Sequence, residues 1–183
     1  MRTASILGLT ALLSACASDP SLLVIPSEVS SMTVRTSVGS VEIVDVSLPV
    51  YAETDSVVLP GDDGLSENLS GVVWADTLER SLTSGLMRNL SAITGAQVAP
   101  EPWPLASQPD AEITVWVDEI RVTETTMVQM AGQFAVYQAD APRGGLVQRF
   151  DLTVPLPNTS NQALSQAYGT LWRLLAERVA TAI

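Results

Sequence analysis

The N-terminus of the chain carries the feature that most restricts what can fold behind it. Arg2 is followed by an apolar run over residues 4–13, which is too short to cross a bilayer because a spanning helix needs about 20 apolar residues. The run ends in Leu-Ser-Ala-Cys at residues 13–16, the pattern of a bacterial lipobox. We predict that residues 1–15 are a lipoprotein signal peptide, that cleavage occurs before Cys16, and that lipid is attached to the Cys16 thiol.

Cys16 is also the only cysteine in the chain. An exported protein with one thiol cannot form an internal disulfide, so a hydrophobic core must hold the mature chain together. The alternative is that Cys16 is an incidental small residue of an ordinary signal peptide, but the whole tetrapeptide agrees with a lipobox. We expect residues 16–20 to form a lipidated tether and residues 21–183 to form one domain. The many serines over residues 17–40 predict a flexible segment that includes one short strand at residues 22–25.

The composition excludes several functional classes. The chain has a net charge of −11, with no lysine and no histidine, so it lacks the clustered positive charge that nucleic acid or an anionic membrane surface requires. Without histidine or lysine the chain cannot form a Ser-His-Asp triad or supply the lysine of a Walker motif, and the usual zinc ligands are missing. Adjacent carboxylates at Asp62 and Asp63, and at Asp118 and Glu119, are the residue type used in glycoside hydrolysis, but solvated surface is the favoured interpretation. We therefore predict no catalytic residue, no cofactor and no metal site.

Hydrophobic periodicity divides the rest of the chain into strands and two long helices. Apolar or alternating segments predict strands at residues 41–46, 56–59, 69–74, 112–121, 127–138 and 146–154. A hairpin loop at 139–145 joins the last two strands, and the prolines over residues 100–109 predict another loop. This element order predicts a single α/β domain in which a mixed β-sheet is flanked by two main helices.

Both helices have sequence signals at their ends or along one face. The first is predicted to begin at Asp76, where Glu79 completes an Asp-x-x-Glu capping box, and to end at Gly95. One apolar stripe along it is predicted to face the sheet: Leu78, Leu82, Leu86, Leu90 and Ile93. The second helix is predicted within residues 158–183, where leucines recur at helical spacing beside Tyr168 and Trp172.

The tryptophans at positions 74, 103, 116 and 172 are the remaining conspicuous residues. Packing in or beside the core is the favoured interpretation. The alternative concerns Trp116, which lies on the strand face opposite the apolar residues Ile113 and Val115. It could belong to an aromatic patch that contacts a partner or a lipid, because tryptophan is enriched at the centres of interfaces.

Several segments follow one another in an order and at a spacing that match a known family. They are SLLVIP after the lipobox, VEIVDVSLPVYAETDSVVL, VVWADTLERSLTSGLMRNL, DAEITVWVDEIRV and the closing LSQAYGTLWRLLAERVATAI. Together they resemble the ABC-type transport auxiliary lipoproteins, the PqiC-like family, over the whole mature chain from Ser21 onward. Residues 127–154 depart from the family pattern, because Phe134 and Tyr137 occur where the family usually has a tryptophan-containing strand.

The resemblance implies both a fold and a function. The implied fold is a three-layer α/β arrangement related to the TolB N-terminal and anticodon-binding folds. The implied function is that of a non-catalytic accessory component of an ABC/MCE-type lipid transport system, in which the component supports membrane integrity. MCE stands for mammalian cell entry. The expected partners are an MCE-domain periplasmic protein with its ABC transporter or permease, and further copies of the chain in a homo-oligomer.

The residue after the lipidated cysteine predicts the membrane. In the familiar sorting rule, aspartate at that position retains a lipoprotein in the inner membrane. Here Ala17 follows Cys16, so we expect the outer membrane, with the lipid-anchored domain facing the periplasm.

The alternative function is that of a structural periplasmic lipoprotein that tethers or assembles envelope machinery without a role in lipid transport.

Overall fold

The computed structural model describes residues 19–60, 65–123, 127–138 and 144–183. The predicted signal peptide, Cys16, Ala17 and most of the predicted hairpin loop at 139–145 lie outside these residues, as do residues 61–64 and 124–126. The regular elements, in chain order, are β1 Ser21–Leu23, β2 Ser40–Ser47, a 3-10 turn at Val50–Ala52, β3 Ser56–Pro60, β4 Ser66–Trp74, α1 Leu78–Thr94, β5 Gln97–Pro100, β6 Ala111–Val122, β7 Met127–Gln138, β8 Gly145–Pro155 and α2 Asn161–Ala180.

The larger of two sheets is mixed and has the strand order β5-β2-β6-β7-β8. β2 runs parallel to both β5 and β6, whereas β6, β7 and β8 are antiparallel neighbours. The predicted alternation along β6 is confirmed, since Ile113 and Val115 are fully buried while Trp116 is 37% exposed. A β-bulge after Val117 shifts the register, and Ile120 beyond it is again buried.

The smaller sheet has the order β1-β4-β3. β1 is parallel to β4, with Leu23 opposite Trp74, and β3 is antiparallel to β4. Leu23, Val57 and Trp74 are buried, which joins this sheet to the common hydrophobic core. The predicted α/β class with mixed β-structure and two main helices is confirmed. The division of the strands between two sheets is a feature that periodicity does not reveal, because periodicity identifies strands and not their neighbours.

Helix α1 begins one residue later than its capping signal predicted. Thr77 is the N-cap, and its Oγ1 accepts a hydrogen bond from the Arg80 N–H at 3.2 Å. The prediction of an Asp76–Glu79 capping box is therefore wrong. The Asp76 carboxylate instead accepts from the Thr77 N–H at 2.9 Å and pairs with the Arg80 guanidinium at 3.2 Å. The predicted end is confirmed, because Gly95 closes the helix in the left-handed conformation with φ 74°.

Both helices pack on one face of the larger sheet, α1 against β2 and β5, and α2 against β7 and β8. The predicted apolar stripe of α1 is buried, and Gly85 within it lies against the Trp172 side chain of α2. Ser160 caps α2 by accepting from the Ala163 N–H at 3.3 Å. Its buried residues include Leu164, Leu171, Leu175 and Val179. The core is therefore a layer between this sheet face, which we call the inner face, and the two helices.

Residues 24–39, which we call the strap, form an extended segment that crosses both helices. The prediction of a flexible segment is wrong for residues 24–39, because long-range hydrogen bonds hold them. The Val34 N–H donates to the Ile93 carbonyl at 2.9 Å, and the Ser30 N–H donates to Asn89 Oδ1 at 2.8 Å. From residue 28 to 38 the even-numbered residues are the less exposed ones, so the strap presents alternate side chains to the helices as a strand does.

The strap is also joined to α2 by a charged cluster. The Arg173 Nε lies 3.3 Å from Glu28 Oε2, and its Nη1 lies 2.7 Å from Glu177 Oε1. The Ser30 hydroxyl donates to the same Glu177 oxygen at 2.6 Å. Close approach depends on Gly169, where an added Cβ would lie 2.7 Å from the Pro26 carbonyl oxygen. A larger residue there would push the strap away from α2.

Strand β5 was not predicted, because its four residues overlap the start of the proline-containing stretch. Residues 97–100 pair with residues 40–43 of β2 in parallel register. The following residues form the predicted loop, in which the Glu101–Pro102 peptide bond is cis. A four-residue edge strand has too few residues to show a periodicity.

Candidate functional site

The described residues hold no group of three or more His, Cys, Asp or Glu side chains placed to bind a metal ion. Neither described helix has the length and apolarity needed to span a bilayer. In one of the two adjacent carboxylate pairs, Glu119 forms an ion pair with Arg121, with 2.5 Å between Oε1 and Nε, and Asp118 is exposed. The other pair, Asp62 and Asp63, lies outside the described residues. Two features of the described residues are candidate sites, an exposed apolar patch and a cavity.

The predicted lipid site, Cys16, also lies outside the described residues. The nearest regular element is β1, which begins at Ser21 and forms an outer edge of the smaller sheet. The intervening chain spans at most about 18 Å when fully extended. A lipid on Cys16 would therefore keep the smaller sheet close to the surface of the membrane that holds it.

The tryptophans divide between core and surface. Trp74 and Trp172 are buried on either side of Tyr168, with ring centroids 4.8 Å and 5.6 Å from it. Trp103 lies in the loop after β5 and donates its Nε1–H to the Ser107 carbonyl at 2.7 Å. Core packing is confirmed for Trp74 and Trp172, and Trp116 is the residue for which a surface role is open.

Trp116 belongs to an exposed apolar patch on the outer face of the larger sheet, which is the face opposite the helices. The patch, which we call the outer patch, consists of Trp116, Ala135, Tyr137 and Val147. Ala135 of β7 pairs with Val147 of β8. Trp116 of β6 lies diagonally across from Ala135, and Tyr137 of β7 lies diagonally across from Val147. Trp116, Tyr137 and Val147 are 37%, 51% and 64% exposed, and aromatic residues so placed are typical of contact surfaces.

Charged and polar residues border the outer patch. Gln133 lies opposite both Trp116 and Arg149, and Asp151 follows on the same face of β8. At the other end Glu112 pairs with Tyr137. An apolar centre with a polar border is the arrangement that protein interfaces usually show. The outer patch is therefore a candidate docking surface, formed in part by the two strands where the sequence departs from its family.

A cavity of about 260 Å³ lies where the smaller sheet meets the end of β6. Most of its wall is apolar: Val58, Leu59, Trp74, Leu78, Ile120 and Val122. Arg121 and Glu119 lie at its rim, because their side chains are 54% and 42% exposed while they also line it. A mainly apolar concave site with a few polar groups is the usual form of a small-molecule pocket.

Two tyrosines bring hydroxyl groups to the cavity. The Tyr51 hydroxyl accepts a hydrogen bond from the Ile120 N–H at 2.9 Å, which ties the 3-10 turn to β6. Tyr168 is only 4% exposed, and burial, followed by the nearby Tyr51 phenol, raises the pKa of its hydroxyl well above the ordinary value. Tyr168 therefore stays neutral and can donate a hydrogen bond at any physiological pH.

Sequence reasoning identified neither the cavity nor its tyrosines as a site. Tyr51 belongs to the Leu-Pro-x-Tyr segment and Tyr168 flanks the apolar stripe of α2, so each was visible as an isolated residue. Their proximity depends on packing between elements more than a hundred residues apart, and a single sequence carries no signal for that distance.

Comparison with solved structures supports the fold. The crystal structure of an uncharacterized protein superposes with a TM-score of 0.70 at 19% sequence identity, covering 90% of this chain and 98% of that one. Protein XCC0632 from Xanthomonas campestris, assigned to family DUF330, has a TM-score of 0.64 at 12% identity and covers 86% and 91% of the two chains. Among curated proteins, none matches the sequence significantly.

Comparison with protein families identifies the chain more directly. Residues 22–180 match the family described as the ABC-type transport auxiliary lipoprotein component. The match extends from the second residue of β1 to the last residue of α2. The family is an auxiliary transport component rather than a catalytic one, which supports an accessory, membrane-anchored role in envelope transport. The chain belongs to the ABC-type transport auxiliary lipoprotein family.

Proposed function

We propose that this protein is an outer-membrane lipoprotein that assists an ABC/MCE-type system in moving lipid between the inner and outer membranes. In this proposal residues 1–15 are removed, Cys16 carries the lipid, residues 16–20 form the tether, and residues 21–183 form a periplasmic domain. The domain binds an MCE-domain protein, whose ABC transporter or permease lies in the inner membrane, and it acts as a homo-oligomer.

The family match over residues 22–180 is the observation that carries this proposal. The outer patch adds a surface for the partner, because Trp116, Tyr137 and Val147 are exposed on a sheet face that none of the described helices covers. Apolar residues in this position do not contribute to the core. Binding to a partner is therefore the role that explains them.

The lipid anchor is tested by replacing Cys16. Cys16→Ala should abolish incorporation of radiolabelled palmitate and release the protein from membranes, because lipid attachment needs the thiol. A second variant that combines Cys16→Ala with Ser21→Cys restores a thiol outside the lipobox and should also remain unlabelled. Palmitate on either variant would contradict the assignment of Cys16.

The choice of membrane is tested at the next residue. Ala17→Asp should move the protein from the outer-membrane to the inner-membrane fraction of a density gradient, while palmitate labelling continues. Ala17→Ser, which keeps a small uncharged residue, is the control and should stay in the outer-membrane fraction. Wild-type protein in the inner-membrane fraction would overturn this part of the proposal.

The partner is tested with purified proteins. The full-length lipoprotein in detergent should retain the MCE-domain protein of the same cell, and Trp116→Arg should weaken retention about tenfold or more by placing a charge in the outer patch. Leu105→Arg is the matched control, because Leu105 is also exposed, at 48%, but lies in the proline-containing loop. Equal retention of the wild type and both variants would remove the outer patch from the proposal.

The alternative function, a structural tether without a lipid role, predicts a different phenotype. If the protein assists lipid transport, deleting its own gene should raise phospholipid in the outer leaflet of the outer membrane and increase detergent sensitivity. A structural tether predicts neither change. Complementation with wild type should reverse both changes, whereas Trp116→Arg should not. Unchanged outer-leaflet phospholipid in the deletion strain would favour the structural tether.

A further inference from the structure

The cavity between the two sheets is lined by the hydroxyl of a buried tyrosine, Tyr168. The Tyr168 ring is held between Trp74 and Trp172, and its hydroxyl makes no hydrogen bond to any other described residue. No buried polar atom in the described chain is both sealed from solvent and unpartnered. The Tyr168 hydroxyl therefore reaches solvent through the cavity that it lines.

A hydroxyl that opens into a mainly apolar cavity can donate a hydrogen bond to a ligand with a polar atom. The Tyr51 hydroxyl accepts from the Ile120 N–H, so its own proton is also available as a second donor. Both phenols can donate to a ligand carbonyl or carboxyl oxygen.

The cavity has the size and lining for an apolar chain. At about 260 Å³ it is larger than a cavity of about 150 Å³ that remains dry and binds benzene when it is lined by apolar side chains. Its apolar wall is made by Val58, Ile120 and Val122, whereas Arg121 is placed at the exposed rim. This polarity fits an amphipathic molecule, with its acyl chain along the apolar wall, its carbonyl or carboxyl oxygen at the tyrosine hydroxyls and any charged headgroup at the rim.

The position of the cavity relative to the anchor adds a second argument. Trp74 in the cavity wall is paired with Leu23 of β1, and Leu23 is separated from Cys16 by a chain of at most about 25 Å. A lipid on Cys16 would therefore hold the cavity near the membrane surface, where acyl chains are the abundant apolar groups.

We propose that this cavity binds one acyl chain of a membrane lipid, with the Tyr168 and Tyr51 hydroxyls near the ester or carboxyl group and Arg121 at the rim. The inference rests on the proposed function for the source of the lipid. Phospholipids and free fatty acids share this chemistry. The cavity would give the lipoprotein direct contact with the lipid, in addition to its contact with the partner protein.

The test uses the lipidated full-length protein in vesicles of phosphatidylethanolamine and phosphatidylglycerol. One arm contains phosphatidylethanolamine with a diazirine in its acyl chain, and the other contains a free diazirine fatty acid. After irradiation, adducts should map by mass spectrometry to peptides that contain Val58 or Ile120. An adduct in either arm supports the proposal and identifies the source, whereas adducts elsewhere or in neither arm overturn it.

Variants separate the cavity from general contact with the membrane. Ala52 is a buried residue of the cavity wall, and Ala52→Leu should reduce labelling of the cavity peptides about tenfold by filling the space. Ala92→Leu makes the same change at an exposed position of α1, outside the cavity and the outer patch, and should leave labelling unaltered. Tyr168→Phe should reduce labelling about fivefold, the loss expected for one hydrogen bond. Undiminished labelling in folded Ala52→Leu would contradict the proposal.

Thermal unfolding of each variant shows whether it folds. If Ala52→Leu does not fold, Ser56→Leu at the half-buried edge of the same cavity supplies the same test. Retention of the MCE-domain protein by the cavity variants distinguishes the two proposals. A variant that binds the partner but takes up no acyl chain leaves the proposed function intact, and wild type that binds the partner without any cavity adduct refutes the lipid site alone.

Discussion

The two faces of the larger sheet are formed by the same strands and lie in opposite environments. On the inner face Ile113, Val115 and Phe134 are fully buried under α1 and α2, and the strap covers the helices as a further layer. On the outer face Trp116 and Tyr137 alternate with those residues and remain exposed. Adjacent side chains of a strand point to opposite faces of the sheet, so the difference in exposure comes from the elements that cover each face.

The comparison separates residues that maintain the fold from residues that are available to a partner. Inner-face residues are fixed by packing under the two helices. The helices are in turn held by polar contacts with the strap, such as the Ser30–Asn89 hydrogen bond and the Glu28–Arg173 ion pair. Outer-patch residues have few such constraints. Substitutions on the two faces should therefore have opposite effects on stability and on binding.

The largest stability difference is expected between Leu171→Ala and Val147→Ala. Leu171 is fully buried in α2, whereas Val147 is 64% exposed. Leu171→Ala should lower the free energy of unfolding by about 2–5 kcal/mol, and Val147→Ala by less than about 1 kcal/mol. Urea unfolding of both variants measures this, and similar losses would show that the outer face is also part of the core.

An intermediate effect is expected where the strap contacts α1. Asn89 is 2% exposed, accepts from the Ser30 N–H, and donates to the Glu28 carbonyl at 2.9 Å. Asn89→Ala should cost about 1–3 kcal/mol, because it leaves half-buried backbone groups without partners. Asn68→Ala, the same change at an exposed position of β4, should stay within about 0.5 kcal/mol. Equal effects of the two changes would mean that the strap contributes little to stability.

The smallest effect is expected where the strap enters β2. Asp110 accepts hydrogen bonds from the Gly39 and Ser40 N–H groups at 2.8 and 3.0 Å. The Gly39 bond first, then the Ser40 side chain and the Ser40 N–H, lower the pKa of Asp110 from its ordinary value of 3.8. A lowered pKa in the folded state contributes stability above pH 3.8, and this contribution is lost as the pH falls through the folded-state pKa.

Asp110→Asn tests this contribution. The variant should be slightly less stable than wild type at pH 7, and the difference should shrink as the pH falls below about 4. Chemical unfolding measured over this pH range provides the readout. A stability difference that stays constant down to the lowest pH would show that ionisation of Asp110 does not stabilise the strap.

Much of the fold could be predicted because its strongest signals are local. The α1 stripe, the Gly95 end and the alternation around Trp116 depend on residues within a few positions of one another. The strap was missed because half of its inward residues, such as Glu28 and Ser30, are polar and find their partners on distant helices. Thr77 replaced Asp76 as N-cap because both residue types can cap, and backbone geometry decides between neighbours.

By itself the sequence determined the class of the fold and the family, and it led to the prediction of a lipid site at Cys16 in a chain without histidine or lysine. These depend on residue identity, local periodicity and the order of segments. Only the tertiary structure decided that the strap is bound to the helices, that Trp116 is joined by Tyr137 and Val147 on an open face, and that Tyr51 and Tyr168 meet in one cavity. Each of these depends on contacts between residues far apart in the chain, and such contacts form only when the whole core packs.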